Sequence, residues 1–182
     1  MTKNRYRDVT CRDPNRVILT DGKGCDYIHA NFIRGDPLQT QFIATQGPTS
    51  STIVDFWRMI QQEGVGLIVM LCDMVENGKK KCEMYYPKAV GETLTFGDMK
   101  VSFLGVVSLD QHIDRTSLRI CTADGQVRDL RHYHFKSWPD KHVPKSSRAI
   151  LRLLTYIRQP QAPPVVVHCS AGIGRTGTFV NL

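Results

Sequence analysis

Two side chains near the end of the printed sequence have the types and the spacing needed for chemistry on an anion. Cys169 and Arg175 bracket five residues, two of them glycines, so the backbone between them can curl tightly. Successive N–H groups can then converge on one point, where a guanidinium is able to bind two oxygens in parallel. We expect this loop to bind a tetrahedral phosphate group through Ser170, Ala171, Gly172, Ile173, Gly174 and Arg175.

The same surroundings would activate the cysteine. Thiols near cationic groups and helix N-termini ionise more readily than free thiols, and the thiolate is the nucleophilic form. A thiolate of Cys169 below a bound phosphoryl group would be aligned for in-line attack. A purely structural cysteine in a glycine-rich turn stays open at this point. A Walker phosphate loop and a papain-like protease do not fit, because their characteristic neighbouring residues are absent.

The segments on either side of the loop predict how it is positioned. Pro163-Pro164 leads into Val165 to His168, a short apolar run typical of a strand that is buried on both faces. Thr176 to Leu182 has the pattern of the first turns of a helix. A strand, a loop and a helix in this order direct backbone amides at an anion.

Two longer helices are indicated upstream. From Ser51 to Glu63, apolar residues recur at helical spacing, Thr52 with Asp55 resembles a capping box, and Gly64 supplies a stop. The second helix is predicted to begin at Ser146 or Ser147 and to end before Pro160. Its apolar stripe consists of Ile150, Leu153, Leu154 and Ile157.

The middle of the chain reads as strands. A buried strand is expected at Leu67 to Cys72, and Asp124-Gly125 is a strong hairpin signal between two β-rich stretches. We therefore predict one α/β (α+β) domain over residues 1–182, without internal repeats. The other expected strands lie at Leu94 to Phe96, Val101 to Leu109, Ser117 to Thr122 and Val127 to Phe135.

Composition limits the partners. The chain has 24 Lys and Arg against 17 Asp and Glu, a net charge of +7 that favours anionic ligands. Nucleic acid is not expected, because no basic helix or interleaving of aromatic and basic residues occurs. No apolar run approaches the roughly 18 residues of a membrane span, and the polar start is unlike a signal peptide. Six scattered cysteines indicate reduced thiols and a cytoplasmic setting, with no metal site and no cofactor.

The run VHCSAGIGRTGTF closely resembles the signature loop of the protein tyrosine phosphatases. Further stretches are similar to this family: KNRYRDV, DYIHAN, FIATQGP, DFWRMI, VMLCDMVENGKKKCEMYYP and HYHFKSWPD, which together span almost the whole chain. The resemblance implies a central, highly twisted mixed sheet flanked by helices. It also implies hydrolysis of phosphotyrosine in proteins through a phosphocysteine intermediate.

Expelling a phenolate needs a proton donor, and a carboxylic acid on a loop is one solution. Asp140 in SWPDKHVP is the candidate, and by resemblance it would protonate the leaving phenol and then deprotonate the hydrolytic water. The resemblance also assigns Tyr6 to stacking on the substrate ring and Asp8 to gripping the peptide backbone. A deep cleft walled by Tyr6 would select phosphotyrosine over the shorter phosphoserine.

Four supporting roles are implied by the resemblance alone. Glu76 matches the glutamate that braces the signature arginine, and Lys81 matches a lysine near the acid-bearing loop. His168 would tune the nucleophile, and the Thr176 hydroxyl would help the thiolate to leave. Each of these four residues also has an ordinary structural or surface interpretation.

Two departures from the family pattern suggest an alternative. His142 stands where the family usually has glycine, so we expect slower closure of this loop. The sequence ends at Leu182, so the C-terminal helices are expected to be missing and the domain incomplete. The alternative is a catalytically impaired phosphotyrosine-binding module. Substrate identity, oligomeric state and whether the chain is the cytoplasmic part of a larger protein stay open.

Overall fold

Strands dominate the part of the chain that the structure, a computed structural model, describes: residues 3–34, 41–157 and 164–182. The three α-helices of these ranges are α1 (Ile53–Gln62), α2 (Ser147–Ile157) and α3 (Gly174–Val180). The strands are β1 (Arg16–Ile18), β2 (Tyr27–Ile33), β3 (Phe42–Thr45), β4 (Leu67–Met70), β5 (Val75–Glu76), β6 (Lys79–Lys80), β7 (Thr93–Phe96), β8 (Met99–Ser108), β9 (Ile113–Cys121), β10 (Val127–Phe135) and β11 (Val165–His168).

One mixed sheet contains nine of these described strands, in the order β1-β2-β3-β11-β4-β10-β9-β8-β7. Its centre is parallel: β11 pairs with β3 on one side and with β4 on the other, and β4 pairs with β10. The three valines of β11 are fully buried, as the continuous apolar run predicts. The mixed sheet with helices confirms the predicted fold class.

The parallel centre determines where the site lies. The strands β3, β11, β4 and β10 run in the same direction, so their carboxyl ends meet at one edge of the sheet. In register, His168 lies beside Thr45 on one side and Met70 on the other. The segments that leave these strand ends therefore converge on Cys169, at the edge where open α/β sheets bind ligands.

The antiparallel half confirms the hairpin. Strands β9 and β10 pair along their whole length, and Gly125 in the connecting turn has a φ of 80°. The start of β9 differs from the prediction, because the strand begins at Ile113 and not at Ser117. Asp114 and Arg115 are two consecutive charged residues, so the sequence there lacks the pattern of a strand. They are extended because they pair with both β8 and β10.

Helix α1 confirms the predicted element, but the predicted capping box is wrong. The Thr52 hydroxyl makes no cap bond, and its Oγ1 instead accepts the Thr49 N–H at 2.9 Å. Asp55 is held by the Arg58 guanidinium at 2.7 Å and by the Lys3 ammonium at 2.8 Å, so it does not reach back to the helix start. The predicted stop is present, since Gly64 has a φ of 63°.

Helices α2 and α3 also follow the sequence pattern. The Ser146 hydroxyl accepts the Ala149 N–H at 3.2 Å, which identifies Ser146 as the cap of α2. The apolar stripe of α2 is buried, and Tyr156 stacks on Tyr133 of β10. The predicted helix end before Pro160, and Pro163, lie outside the described residues. Among the described helices, none is long and apolar enough to cross a membrane.

Candidate active site

The loop after β11 encloses the Cys169 thiol. Cys169 is only 3% exposed, and the Gly172 N–H donates to its Sγ at 3.3 Å. Gly172 has a φ of 80°, a conformation that L side chains rarely adopt, and the backbone of Thr45 in β3 lies directly against it. The loop then enters α3 at Gly174, so the positive end of this helix faces the thiol.

Arg175 is held rigidly below the loop. Its Nη1 and Nη2 donate to the two carboxylate oxygens of Glu76 at 2.6 and 3.0 Å, and Nη1 also donates to the Trp138 carbonyl at 2.9 Å. Glu76 is brought there by the β5–β6 hairpin, whose turn residues Asn77 and Gly78 both have positive φ. The guanidinium therefore has a fixed plane and a charge partner before any ligand binds.

Asp140 lies at the same edge, on the segment that follows β10. Its Oδ2 accepts the Lys81 ammonium at 2.6 Å, and its Oδ1 lies 3.6 Å from Arg175 Nη2. The hydrogen bond from Lys81, together with the positive charges of Lys81 and Arg175, lowers the pKa of the Asp140 carboxyl. In this arrangement Asp140 is a carboxylate.

Tyr6 forms a wall beside the loop. The Ser170 hydroxyl donates to the Lys81 carbonyl at 3.0 Å, so the Tyr6 hydroxyl is the donor in its 2.9 Å contact with Ser170 Oγ. The preceding segment is fixed to the end of β3, because the Arg5 guanidinium donates to the carbonyls of Gly47 and Pro48 at 3.1 and 2.6 Å. Tyr6 is thus tied both to the loop and to the sheet.

A buried network lies behind the thiol. The Tyr85 hydroxyl is 2.7 Å from His168 Nε2 and 2.6 Å from His132 Nε2, and His168 Nδ1 is 3.2 Å from the Cys169 carbonyl. Burial raises the pKa of Tyr85 and lowers the pKa of His132, so both side chains are neutral. One hydroxyl between two imidazoles fixes the orientation of His168 beside Cys169.

Most of the predicted residues line one open cleft of about 720 Å³. Asp8 is exposed at its mouth, where Lys79 and Lys80 add positive charge. The predicted residues on its wall are Tyr6, Asp8, Lys81, Asp140, Cys169, Ser170, Ala171, Ile173, Gly174 and Arg175.

Four predicted residues stand behind this wall. Glu76 binds Arg175, and His168 lies against the Cys169 carbonyl. Gly172 packs against the backbone of Thr45 in β3. Thr176 is fully buried in α3, and its Oγ1 has no hydrogen-bond partner among the described residues. Gly172 thus belongs to the loop and the other three residues lie close to it, but none of the four lines the cleft.

The backbone at His142 is ordinary in the described arrangement of this segment, and slower closure of the loop stays a prediction. The residue with left-handed backbone in this segment is Lys141, with a φ of 62°, and His142 is not among the positive-φ residues of the described chain. A side chain at position 142 is therefore compatible with the observed backbone.

Sequence reasoning missed several residues that hold the site together. Contacts to the site segments are also made by Arg5, Gln46, Tyr85 and Trp138. All four lie in stretches that resemble the family, but no role was assigned to any of them. Arg5 lies beside Tyr6, and Trp138 lies two residues before Asp140, so proximity to a predicted site residue was a second signal. Tyr85 lacks this second signal, since its partner His168 is 83 positions away.

Comparison with known proteins gives consistent matches. The family model described as Protein-tyrosine phosphatase matches residues 1–182. Tyrosine-protein phosphatase non-receptor type 9 of Homo sapiens is 40% identical over 202 residues, which cover 100% of this chain and 34% of that protein. Receptor-type tyrosine-protein phosphatase F of Danio rerio is 41% identical over 184 residues, covering 98% of this chain and 10% of that protein.

Solved structures show the same similarity. The catalytic domain of human protein tyrosine phosphatase non-receptor type 18 has a TM-score of 0.90 at 38% identity, over 98% of this chain and 65% of that chain. A structure of PTPN18 in complex with HER2 phosphopeptides also has a TM-score of 0.90, over 97% of this chain and 68% of that chain. The chain spans 34% of the length of the type 9 relative and 10% of the receptor-type relative.

Proposed function

The chain belongs to the protein-tyrosine phosphatase family, and from that premise we propose that it hydrolyses phosphotyrosine in proteins through a phosphocysteine intermediate on Cys169. One observation carries the proposal: a thiol, a braced guanidinium and a carboxyl group line a single cleft. Phosphotyrosine-containing proteins are the proposed partners, and the cytoplasm is the proposed site of action.

In the first step, the Cys169 thiolate attacks phosphorus while Arg175 binds two phosphoryl oxygens. The S–P bond forms, the P–O bond to the phenol breaks, and the Asp140 carboxyl group gives its proton to the leaving oxygen. In the second step, Asp140 takes a proton from water as the water oxygen attacks phosphorus. The S–P bond then breaks, which releases phosphate and restores the thiolate; the Thr176 hydroxyl is proposed to assist this departure.

Asp140 must acquire a proton before the first step. Without substrate its carboxylate is paired with Lys81 and lies near Arg175. A phosphate dianion in the loop would engage Arg175 and place negative charge beside the carboxylate. Both effects raise the pKa of Asp140, because a like charge disfavours ionisation and an engaged cation stabilises the carboxylate less. Substrate binding itself would thus favour the acid form.

The ion pair also favours a second candidate function. A carboxylate held by Lys81 is unable to donate a proton, so a chain in which the pair persists would bind phosphotyrosine without turning it over. The positions of Tyr6, at the wall, and Asp8, at the mouth, support phosphopeptide binding in both cases. Turnover is therefore the quantity that separates the two functions.

A direct test compares peptides of one sequence that carry phosphotyrosine, phosphoserine or no phosphate. We expect phosphate release from the phosphotyrosine peptide at least about a hundredfold faster than from the phosphoserine peptide, because the shorter side chain does not reach the loop. Calorimetry measures binding to the same peptides. Binding of the phosphotyrosine peptide without phosphate release would contradict hydrolysis and identify the binding module.

Replacing Lys81 with Met should shift the pH dependence of hydrolysis. Removal of the ammonium group raises the pKa of Asp140 towards its ordinary value, so the proton donor persists to higher pH. The decline of kcat/KM on the basic side, which reports ionisation in the ligand-free chain, should therefore move to higher pH, whatever the change in absolute rate. Rates measured from pH 4 to pH 9 check this.

Lys80→Met is the matched control for this shift. Lys80 pairs with Glu83 at 2.5 Å, and the ammonium that binds Asp140 is that of Lys81. The decline of kcat/KM on the basic side should therefore occur at the same pH in Lys80→Met as in the unmodified chain. A Lys81→Met profile that coincides with the Lys80→Met profile would show that Lys81 does not control the proton of Asp140.

A further inference from the structure

The segment Ser137 to Pro144, here called the acid loop, is folded back on itself. The Trp138 indole is 5% exposed, and its Nε1–H donates to the His142 carbonyl at 2.8 Å. The His142 N–H faces the Pro139 carbonyl at 3.3 Å. Trp138 is also the residue whose carbonyl accepts Arg175, so the base of the acid loop is anchored to the phosphate-binding loop.

The side chain of His142 makes a further hydrogen bond within this turn. Its Nδ1 lies 2.8 Å from the Asp140 carbonyl oxygen. A carbonyl only accepts hydrogen bonds, so Nδ1 carries the hydrogen; both the matching neutral tautomer and the imidazolium provide it. The bond spans Lys141, which has left-handed backbone at a φ of 62°.

The Asp140–Lys141 peptide group therefore has a defined orientation. Left-handed backbone is unfavourable for a residue such as lysine, so this turn needs contacts that hold it. The His142 imidazole supplies one contact directly to the carbonyl of Asp140. The same residue carries the carboxyl group that faces Lys81 at 2.6 Å and Arg175 at 3.6 Å.

We propose that His142 is a positioning residue for Asp140: its Nδ1–H bond to the Asp140 carbonyl sets the direction in which the Asp140 side chain projects from the acid loop. This inference rests on the proposed function, in which Asp140 protonates the leaving phenol. A glycine at position 142 has no side chain to make the bond. His142 thus replaces the backbone freedom of glycine with a specific contact.

A different role for the same imidazole gives a different kinetic result. His142 lines the cleft and is exposed, so it is also in reach of a bound peptide. The ratio kcat/KM covers the steps up to release of the phenol and excludes the second step, which is the same for all esters. A group that only contacts the substrate changes kcat/KM alike for all leaving groups. A group that orients the proton donor changes it according to the leaving group, because an acidic phenol leaves without assistance and a weakly acidic phenol needs the proton of Asp140.

The experiment measures kcat and KM for phenyl phosphate and for 4-nitrophenyl phosphate, whose phenol is much more acidic. For His142→Ala we expect kcat/KM on phenyl phosphate to fall about tenfold and kcat/KM on 4-nitrophenyl phosphate to fall less than about threefold. His142→Asn should restore most of the loss, because the asparagine amide N–H occupies nearly the same position as Nδ1–H.

Val143→Ala is the matched control in the same loop. Val143 is 80% exposed and is not part of the cleft wall, so its replacement should leave both substrates unchanged. Thermal unfolding of all variants should coincide, since His142 is also exposed.

Three results would overturn the inference while leaving the proposed function intact. They are an equal loss of kcat/KM on both esters, an unchanged kcat/KM on both esters, or an Asn variant as impaired as the Ala variant. Failure of the unmodified chain to hydrolyse either ester would refute the proposed function and the inference with it.

Discussion

Replacing Cys169 with Ser should abolish hydrolysis of phosphotyrosine peptides while their binding is retained. The hydroxyl is nearly isosteric with the thiol but is not ionised near neutral pH, so no nucleophile remains to form the covalent intermediate. Loss of a catalytic nucleophile is expected to lower kcat by at least about four orders of magnitude. The loop amides and Arg175, which contribute to phosphate binding, are unchanged. Phosphate release and calorimetry on the same peptide measure the two properties separately.

Cys25→Ser is the matched control for the loss of a thiol. Cys25 is an exposed free thiol and does not line the cleft, so this variant should hydrolyse the peptide at the rate of the unmodified chain. Hydrolysis by Cys169→Ser at a rate near that of Cys25→Ser would remove Cys169 from the mechanism. If both variants and the unmodified chain bind without turnover, the chain is a phosphotyrosine-binding module.

The second large effect is expected from Gly172→Ala. A Cβ at this position would lie 2.5 Å from the Thr45 carbonyl oxygen and 2.6 Å from the Thr45 carbonyl carbon, which are backbone atoms at the end of β3. The φ of 80° adds strain for any residue with a side chain. We expect the free energy of unfolding to fall by about 2–4 kcal/mol and kcat/KM to drop sharply, because the loop must move away from β3.

Gly177→Ala separates the steric effect from the general effect of adding a methyl group. A Cβ on Gly177 meets nothing within 4 Å, and alanine is the better helix former in α3. Urea unfolding should therefore show this variant to be as stable as the unmodified chain, or slightly more stable. A Gly172→Ala variant that unfolds at the same urea concentration as Gly177→Ala would show that the close approach of the loop to β3 is not required.

The contiguous parts of the site were predictable from the sequence. The strand Val165–His168 has the expected bounds, and the helix after the loop is present, although it begins at Gly174 and not at Thr176. These elements follow from local chemistry: a continuous apolar run, glycines in a tight turn and a helical pattern. The resemblance carried by the same run led to the correct family and fold class.

Local patterns were less reliable where distant residues compete for the same groups. Thr52 and Asp55 have capping-box spacing, yet the Thr52 hydroxyl accepts the Thr49 N–H. Asp55 binds Arg58 through one carboxylate oxygen and Lys3 through the other. A carboxylate binds the strongest donor in reach, and a charged guanidinium is a stronger donor than a backbone amide. Sequence spacing contains no information about such a donor.

The sequence by itself determined the chemistry that is available: a cysteine and an arginine on one phosphate-sized loop, and a carboxylic acid on another. The resemblance implied that Glu76 braces Arg175 and that Lys81 lies near the acid-bearing loop. Only the tertiary structure decided the geometry of these pairs and that Lys81 holds Asp140 itself. Arg175 is braced by Glu76, 99 positions away, and Asp140 is held by Lys81, 59 positions away. The parallel strands bring these segments to one edge of the sheet, and hydrogen-bond geometry at that edge selects the partners. The structure likewise shows that the left-handed residue of the acid loop is Lys141 and that His142 contacts the Asp140 carbonyl.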